Sequence, residues 1–501
     1  MKTKKTALNI ITDVIPLIII SILGIFKVKL FINILGNETF GLYNLFSNIM
    51  IYVSLVDGGL TSALLYSLYK PNANGDRKKF NEILSAGFKT FSKIGMIVFG
   101  IAFIVSFFVI FFIKNSPFDY WYIVLTFLLF SLSNVLGYFF VPYNVLLEVK
   151  EKKYLYNLTM QIGQIALSVL EIVMLVLGCK FTYILLMHSA VKLIAHIVEV
   201  IICKKEFPET NLREKNKDYG FKKYLPSLIF HKICGLVGSN VDTIIISSFL
   251  GLSYVAIYSA YSYIITMMKN ILGKLSSSMT AIMGNTLVKS TEKSYDMYIE
   301  LSAALFYVGI VICTPLTLAI NGFIDIYYAG KVETSFLIAF SFCLVLFVFV
   351  SKLCTAMFVS AGGLYKETKT AAIVDASVNL VLSLTLVHFI GISGVLFATA
   401  ISAFLGEYLI KSIVVHRNIF HQPAKRFLIR NVKFFVLYFI DLFISYKIIN
   451  LFTIDNLLHW FLIFFVFTIV NAGIILLIFK LLDETKFISR FRILFKKNIN
   501  G

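Results

Sequence analysis

Apolar stretches, each long enough to cross a bilayer, follow one another from Ala7 to Leu482 with short polar breaks between them. A spanning helix takes about 20 mainly apolar residues. Fourteen such segments fit: residues 8–30, 40–67, 83–113, 120–146, 155–178, 181–203, 224–249, 254–283, 298–320, 335–360, 370–389, 392–415, 432–450 and 457–481. Their 49 Phe and many Ile and Leu do not alternate with polar residues as the strands of an outer-membrane barrel must. The pattern predicts an all-α integral membrane protein. The lysines at Lys2, Lys4 and Lys5 before the first apolar run imitate a secretory leader, but that run is too long and has no small-residue cleavage site. It is expected to stay as the first helix.

The polar breaks carry the orientation. On alternate sides of the segments, with Lys433 and Lys480 at segment ends counted, Lys and Arg number 32 against 3, the three being Lys114, Lys180 and Lys331. Positive residues stay on the cytoplasmic side, so both termini are expected there, in a multi-pass protein of the bacterial inner membrane. The composition agrees: 58% hydrophobic, 15% charged, net charge +19 and mean hydropathy +0.85. The charge is thus accounted for by sidedness and attraction to anionic membrane lipids, and nucleic-acid binding is set aside. Trp121 and Trp460 fall at the outer ends of segments, where an aromatic belt places them. The tail 486–497 reads as an amphipathic helix lying on the membrane surface.

An internal repeat organises the rest. Leu35-Gly36 followed by Gly41-Leu42-Tyr43 recurs, with the same internal spacing, as Leu250-Gly251 followed by Ala256-Ile257-Tyr258. Lys150-Glu151-Lys152-Lys153 recurs as Lys366-Glu367-Thr368-Lys369, and the two offsets agree to within a single position. Two parallel six-helix repeats plus two C-terminal helices follow, with lobes at 1–203 and 224–415, a cytoplasmic linker at 204–223, and the last two helices and tail at 416–501. Parallel repeats point to a transporter whose substrate path lies between two lobes.

The stretch from Asn240-Val241-Asp242 through Leu250-Gly251 to Tyr258-Ser259-Ala260-Tyr261 resembles the polysaccharide-transporter branch of the multidrug/oligosaccharidyl-lipid/polysaccharide exporter superfamily. Phe31 to Tyr43, with Val56-Asp57-Gly58-Gly59-Leu60, resembles its N-terminal counterpart. The resemblance implies a flippase that moves undecaprenyl-diphosphate-linked oligosaccharide to the outer leaflet for O-antigen (lipopolysaccharide) or capsule synthesis, with a polysaccharide polymerase as a partner.

Such a cargo brings hydroxyls and a diphosphate into hydrocarbon, where unpaired polar groups are costly. Charged residues inside the segments are therefore the candidates for its path. Lys27 is chosen over Lys29, which lies on nearly the opposite side of the helix, because Asp13 falls on the same side as Lys27. Pro16 and Gly24 are expected to bend that helix. Asn44 and Asn48 offer amides to the sugar. His231 and Asp242 share one helical face, and Tyr258, Ser262, Lys269 and Ser276 share another. At the repeat register Lys27 corresponds to Asp242, which could make a gate bridge.

Asp57, Glu171 and Glu407 are candidates for coupling or gating, with H⁺ or Na⁺ as the ion and no other cofactor. His188, His196 and His231 show no metal-ligand spacing and read as polar packing. The six cysteines form no Cys-x-x-Cys, so neither a metal site nor a disulfide is expected. Alternatives are a multidrug or peptidoglycan-lipid exporter of the same superfamily, or a membrane oligosaccharide polymerase. An enzyme would need a large outer loop for its catalytic acids, and the longest expected here is 321–333.

Overall fold

The computed structural model describes residues 2–54, 60–212, 214–221, 241–449 and 456–488, and every regular element among them is helical. The first half contains α1 (Lys2–Val53), α2 (Leu60–Ala73), α3 (Arg77–Ser106), α4 (Tyr120–Val135), α5 (Val141–Val149), α6 (Lys153–Val176) and α7 (Phe181–Glu206). After the linker come α8 (Val241–Phe249), α9 (Leu252–Lys289), α10 (Thr291–Tyr328), α11 (Phe336–Ala361), α12 (Lys369–Ser402), α13 (Lys411–Val415), α14 (Lys425–Ile449) and α15 (Leu457–Leu481). Helix occupies most of the described part of each of the fourteen expected segments. Eight helices among the described residues are long and apolar enough to cross a membrane; one of them, the continuous run Lys369–Phe420, holds two of those segments.

The breaks occur where the backbone demands glycine. Inside α1 the non-helical residue is Gly36 (φ 86°) and not Pro16, so the bend expected near Pro16 and Gly24 lies further on. In α12 the corresponding break is at Ile390 and Gly391. A positive φ is accessible to glycine without steric cost, and it ends one helix while letting the next start in a new direction.

These breaks also carry the repeat. Gly36 and Gly251 both have positive φ, as do Asn115 and Gly330, and both pairs stand at the offset of the sequence repeat. Packing follows the same register: Phe46 meets Phe127 at 5.1 Å between ring centres, and Tyr261 meets Phe342 at 5.4 Å. Turn geometry and an aromatic contact agree on one spacing, as duplicated helix bundles require.

The chain forms two compact units, residues 1–256 and 257–501. In the first, Gly41 lies so close to α9 that a Cβ there would stand 2.1 Å from the Leu252 carbonyl oxygen. Ser253 Oγ donates to Glu38 Oε1 nearby at 2.9 Å. The basic linker is tied back to α3: Lys79 pairs with Asp218 at 2.9 Å, and Ser85 Oγ donates to the Asn211 carbonyl and accepts from the Glu214 amide.

The second unit has an aromatic core around Tyr298, whose hydroxyl meets Thr355 Oγ1 at 2.9 Å, with Ser412 Oγ 3.1 Å further on. Beside it the helix following α12 widens into π-helical turns at Ala403–Ile410 and His416–Phe420. Glu484, just past α15, is held by Arg430 and Lys433 of α14.

Three expectations change. Trp121 is 70% exposed, as a belt residue should be, but Trp460 is 6% exposed and its Nε1 donates to the Ala319 carbonyl at 2.6 Å. Trp460 therefore fastens α15 to α10. The loop expected at 321–333 is helical through Tyr328, because Asn321 Oδ1 accepts from Tyr261 Oη at 2.6 Å and draws that turn into the bundle. The surface helix expected at 486–497 is described only to Ile488, and Phe487 is already buried against Tyr307.

Candidate functional site

The first unit encloses a cavity of about 720 Å³ between the second half of α1, the end of α4, and helices α6 and α7. That volume is in the range of small-molecule sites. Its wall is interrupted where α4 tightens into a 3-10 turn, Leu136–Phe139, before Pro142 opens α5. Irregular backbone at membrane depth is tolerated where it lines a polar cavity, and Gly137, Tyr138 and Phe140 of this break all face the space.

Helix α7 supplies most of the charge. His188, Lys192, His196 and Glu199 all line the cavity, because residues spaced by three and four share one helical face. At one end His188 Nε2 lies 3.2 Å from Glu171 Oε2 on α6, and Lys27 Nζ of α1 lies 3.3 Å from the same oxygen. Glu171 is wholly buried, and its Oε1 accepts no hydrogen bond among the described residues. Lys27 also sits 5.8 Å above the Tyr43 ring. An ionised carboxylate in hydrocarbon is held only by such partners; here two basic groups converge on one acid.

At the other end His196 Nδ1 lies 3.0 Å from Glu199 Oε2, and its ring stacks on Phe140 at 4.6 Å. Lys192 stands between the two clusters and reaches Asn134 Oδ1 at 3.4 Å. His188 and His196, read from sequence as polar packing, each meet a carboxylate. Glu171 is brought to His188 by two antiparallel neighbouring helices, and Glu199 reaches His196 from one turn along α7. The spacing 188, 192, 196, 199 was the available signal.

The residues chosen from sequence fall in several places. Lys27 and Glu171 come together as one ion pair. Asn44 and Asn48 donate their amides to the carbonyls of Phe40 and Asn44 in their own helix, and Tyr43 and Ser47 face the cavity. Asp242 is buried in the first turn of α8. Asp57 and His231 lie outside the described residues. In the second unit Tyr258 packs on Phe342 at 5.3 Å, Ser262 is half-buried on α9, and Lys269 sits 5.7 Å above the Phe349 ring. Glu407, in the first π-helical turn, pairs with Lys411 at 2.5 Å and Lys352 at 3.8 Å. No cluster of metal-ligand type occurs among the described residues.

The fold is shared with transporters. The chain superposes on the lipid II flippase MurJ in an inward closed conformation, with 19% identity, 93% of this chain and 98% of that one covered, and a TM-score of 0.67. An inward-facing multidrug resistance transporter of the MATE family of the MOP superfamily gives 13% identity, 82% and 98% coverage, and 0.63. A MOP superfamily transporter from Pyrococcus furiosus, described as having a binding pocket of reverse polarity, gives 13%, 82% and 95%, and 0.55. These likenesses establish a multi-pass membrane fold of the transporter type. No curated protein matches the chain in sequence. Residues 8–282, more than half of the chain, match the family described as Polysaccharide biosynthesis protein, and the chain belongs to that family.

Proposed function

We propose that the protein is a flippase carrying an undecaprenyl-diphosphate-linked oligosaccharide from the inner to the outer leaflet of the bacterial cell membrane by alternating access, for O-antigen or capsule assembly. A polysaccharide polymerase acts on the delivered lipid. The observation that carries this reading is the lining of the first-unit cavity. Hydroxyls and amides of Ser47, Ser133, Asn134, Asn144, Tyr156 and Gln164 offer a sugar its hydrogen bonds, beside aromatic rings on which sugar faces rest. The fold is common to exporters of drugs and of lipids; the family membership and this lining favour the sugar-lipid. The role is transport, with Glu171 as the coupling carboxylate and H⁺ as its ion: a proton taken up beside Lys27 and His188 adds one positive charge to the cluster and so biases one access state over the other.

The test is depletion in cells together with reconstitution. Loss of the protein should make lipid-linked oligosaccharide accumulate on the cytoplasmic leaflet while surface polysaccharide falls. In proteoliposomes the purified protein should expose the lipid-linked sugar to an added glycosidase. Unchanged leaflet distribution in both assays would refute the assignment.

Orientation gives a separate expected outcome. In a background with the native cysteines replaced, Glu333→Cys should react with an impermeant maleimide added to intact cells, and Glu209→Cys only after permeabilisation. Both positions are exposed, and the 32 to 3 charge asymmetry sets the sidedness. Labelling of position 209 from outside would invert the topology.

A further inference from the structure

Glu171, Glu199 and Glu407 each have a basic partner. Asp441, buried on α14 of the second unit, has none among the described residues. The groups that act on it are the hydroxyls of Thr314 and Ser445 and the amide of Asn471, whose Nδ2 donates to Oδ2 at 3.3 Å. Three helices meet there: Thr314 belongs to α10, Ser445 to α14 and Asn471 to α15. Tyr438, Asp441 and Ser445 stand three and four residues apart and so share one face of α14. Tyr438 is wholly buried, and its Oη makes no hydrogen bond among the described residues. Thr314 Oγ1, beside the carboxyl, is also wholly buried and lacks a hydrogen bond of full geometry. Pro315 follows it inside α10 and, lacking an N–H, leaves the Val311 carbonyl without its helical donor. The other titratable neighbours are the buried thiols of Cys313 and Cys343, near Tyr438. A carboxylate in hydrocarbon requires an opposite charge, and enclosed hydroxyl oxygens require partners. One small cation answers both needs.

We propose that Asp441, Thr314, Ser445 and Asn471 form a binding site for a small monovalent cation, which fastens α14 and α15 to α10. Every group is an oxygen donor, the set that suits alkali and alkaline-earth ions better than soft metals. The single carboxylate sets the charge: a monovalent ion leaves the cluster neutral, whereas a divalent ion strands a positive charge in the bundle. A half-turn of the Asn471 amide exchanges its donor for its acceptor, so the residue that now bonds Asp441 serves the ion as well. The site belongs to the second unit and the Glu171 cluster to the first, and its role goes beyond the transport reading. Cation occupancy ties together three helices that otherwise share, at this point, only neutral hydrogen bonds.

The experiment follows thermal unfolding of the purified full-length protein in detergent, and its binding of radiolabelled sodium, with N-methylglucamine chloride holding the ionic strength constant. Sodium should raise the melting temperature saturably, by about 3 °C. Asp441→Asn should abolish that shift, and Thr314→Val should weaken sodium binding by about tenfold, the scale for losing one supporting contact of a bound metal. Glu171→Gln should keep the full response, so failure of this site and failure of proton coupling in the first unit are told apart. If Asp441→Asn does not fold, Thr314→Val and Ser445→Ala decide the matter by their sodium affinities. A sodium shift equal in wild type and Asp441→Asn overturns the site, as does a wild type indifferent to sodium. If acidification reproduces the Asp441-dependent shift and sodium adds nothing at any pH, the carboxyl carries a proton and the proposal fails. Calcium acting in place of sodium overturns the monovalent assignment.

Discussion

Glu171→Ala should be among the most damaging single substitutions in the protein, lowering its stability by about 3–5 kcal/mol, the cost of stranding a buried partner when one member of an ion pair is removed. The side chain is wholly buried and two basic groups converge on one of its oxygens. Truncation leaves Lys27 in the bundle without its acid. The diagnostic result is a double-mutant comparison: Lys27→Ala combined with Glu171→Ala should be less destabilised than Glu171→Ala alone, since removing both charges also removes the stranded one. Glu171→Gln should fold better than Ala and yet transport poorly, because an amide fills the space but cannot exchange a proton. Thermal unfolding in detergent reads the first effect and leaflet distribution of lipid-linked sugar the second. Additive losses in the double mutant would mean that the triad is not an energetic unit.

Gly41→Val should be nearly as disruptive, by a different route. A Cβ at position 41 falls 2.1 Å from a backbone oxygen of α9, which cannot rotate away as a side chain could. The helices must separate, with a cost of about 1–3 kcal/mol for overpacking, and the Ser253–Glu38 hydrogen bond should be lost with the contact. Gly100→Ala is the control: nothing lies within 4 Å of its hypothetical Cβ, and in the middle of α3 the change should be neutral or stabilising by up to about 1 kcal/mol. If the two substitutions have equal effects on melting temperature, close approach at Gly41 is not what holds this turn.

Much of the fold could be read from the chain because its strongest signals are one-dimensional. Apolar run length is set by bilayer thickness and does not depend on tertiary contacts. Gly36 and Gly251 were visible for a related reason: turns between packed helices need particular backbone conformations, and few residues supply them. Lys27 stood out as a cation within an apolar run. Glu171 stood out in the same way as an acid, but their pairing did not, because Glu171 lies several helices further along the chain and only packing of α1 against α6 brings it near.

Asn44 and Asn48 bond within their own helix while Tyr43 and Ser47 face the cavity, and this shows where sequence reasoning stops in such proteins. In a water-soluble helix the apolar face marks the interior, but in a bilayer the lipid-facing side is apolar too, so periodicity does not say which face a cavity will meet. The π-helical turns around Glu407 were likewise invisible. Neighbouring helices compensate the irregular backbone there, with Gly406 close against the Ala371 carbonyl, and no local residue pattern announces it.

The duplicated architecture has one further implication, for how charge is distributed. At the register that relates Gly36 to Gly251 and the Phe46–Phe127 pair to the Tyr261–Phe342 pair, Lys27 falls on Asp242 and Lys192 on Glu407. At these positions turn and packing geometry recur at one spacing, while two positive residues of the first half stand at the register of two negative ones in the second. Shape recurs there and charge does not. A chimera built from two first halves would place Lys27 and Lys192 at both registers and concentrate like charges where the natural chain carries both signs.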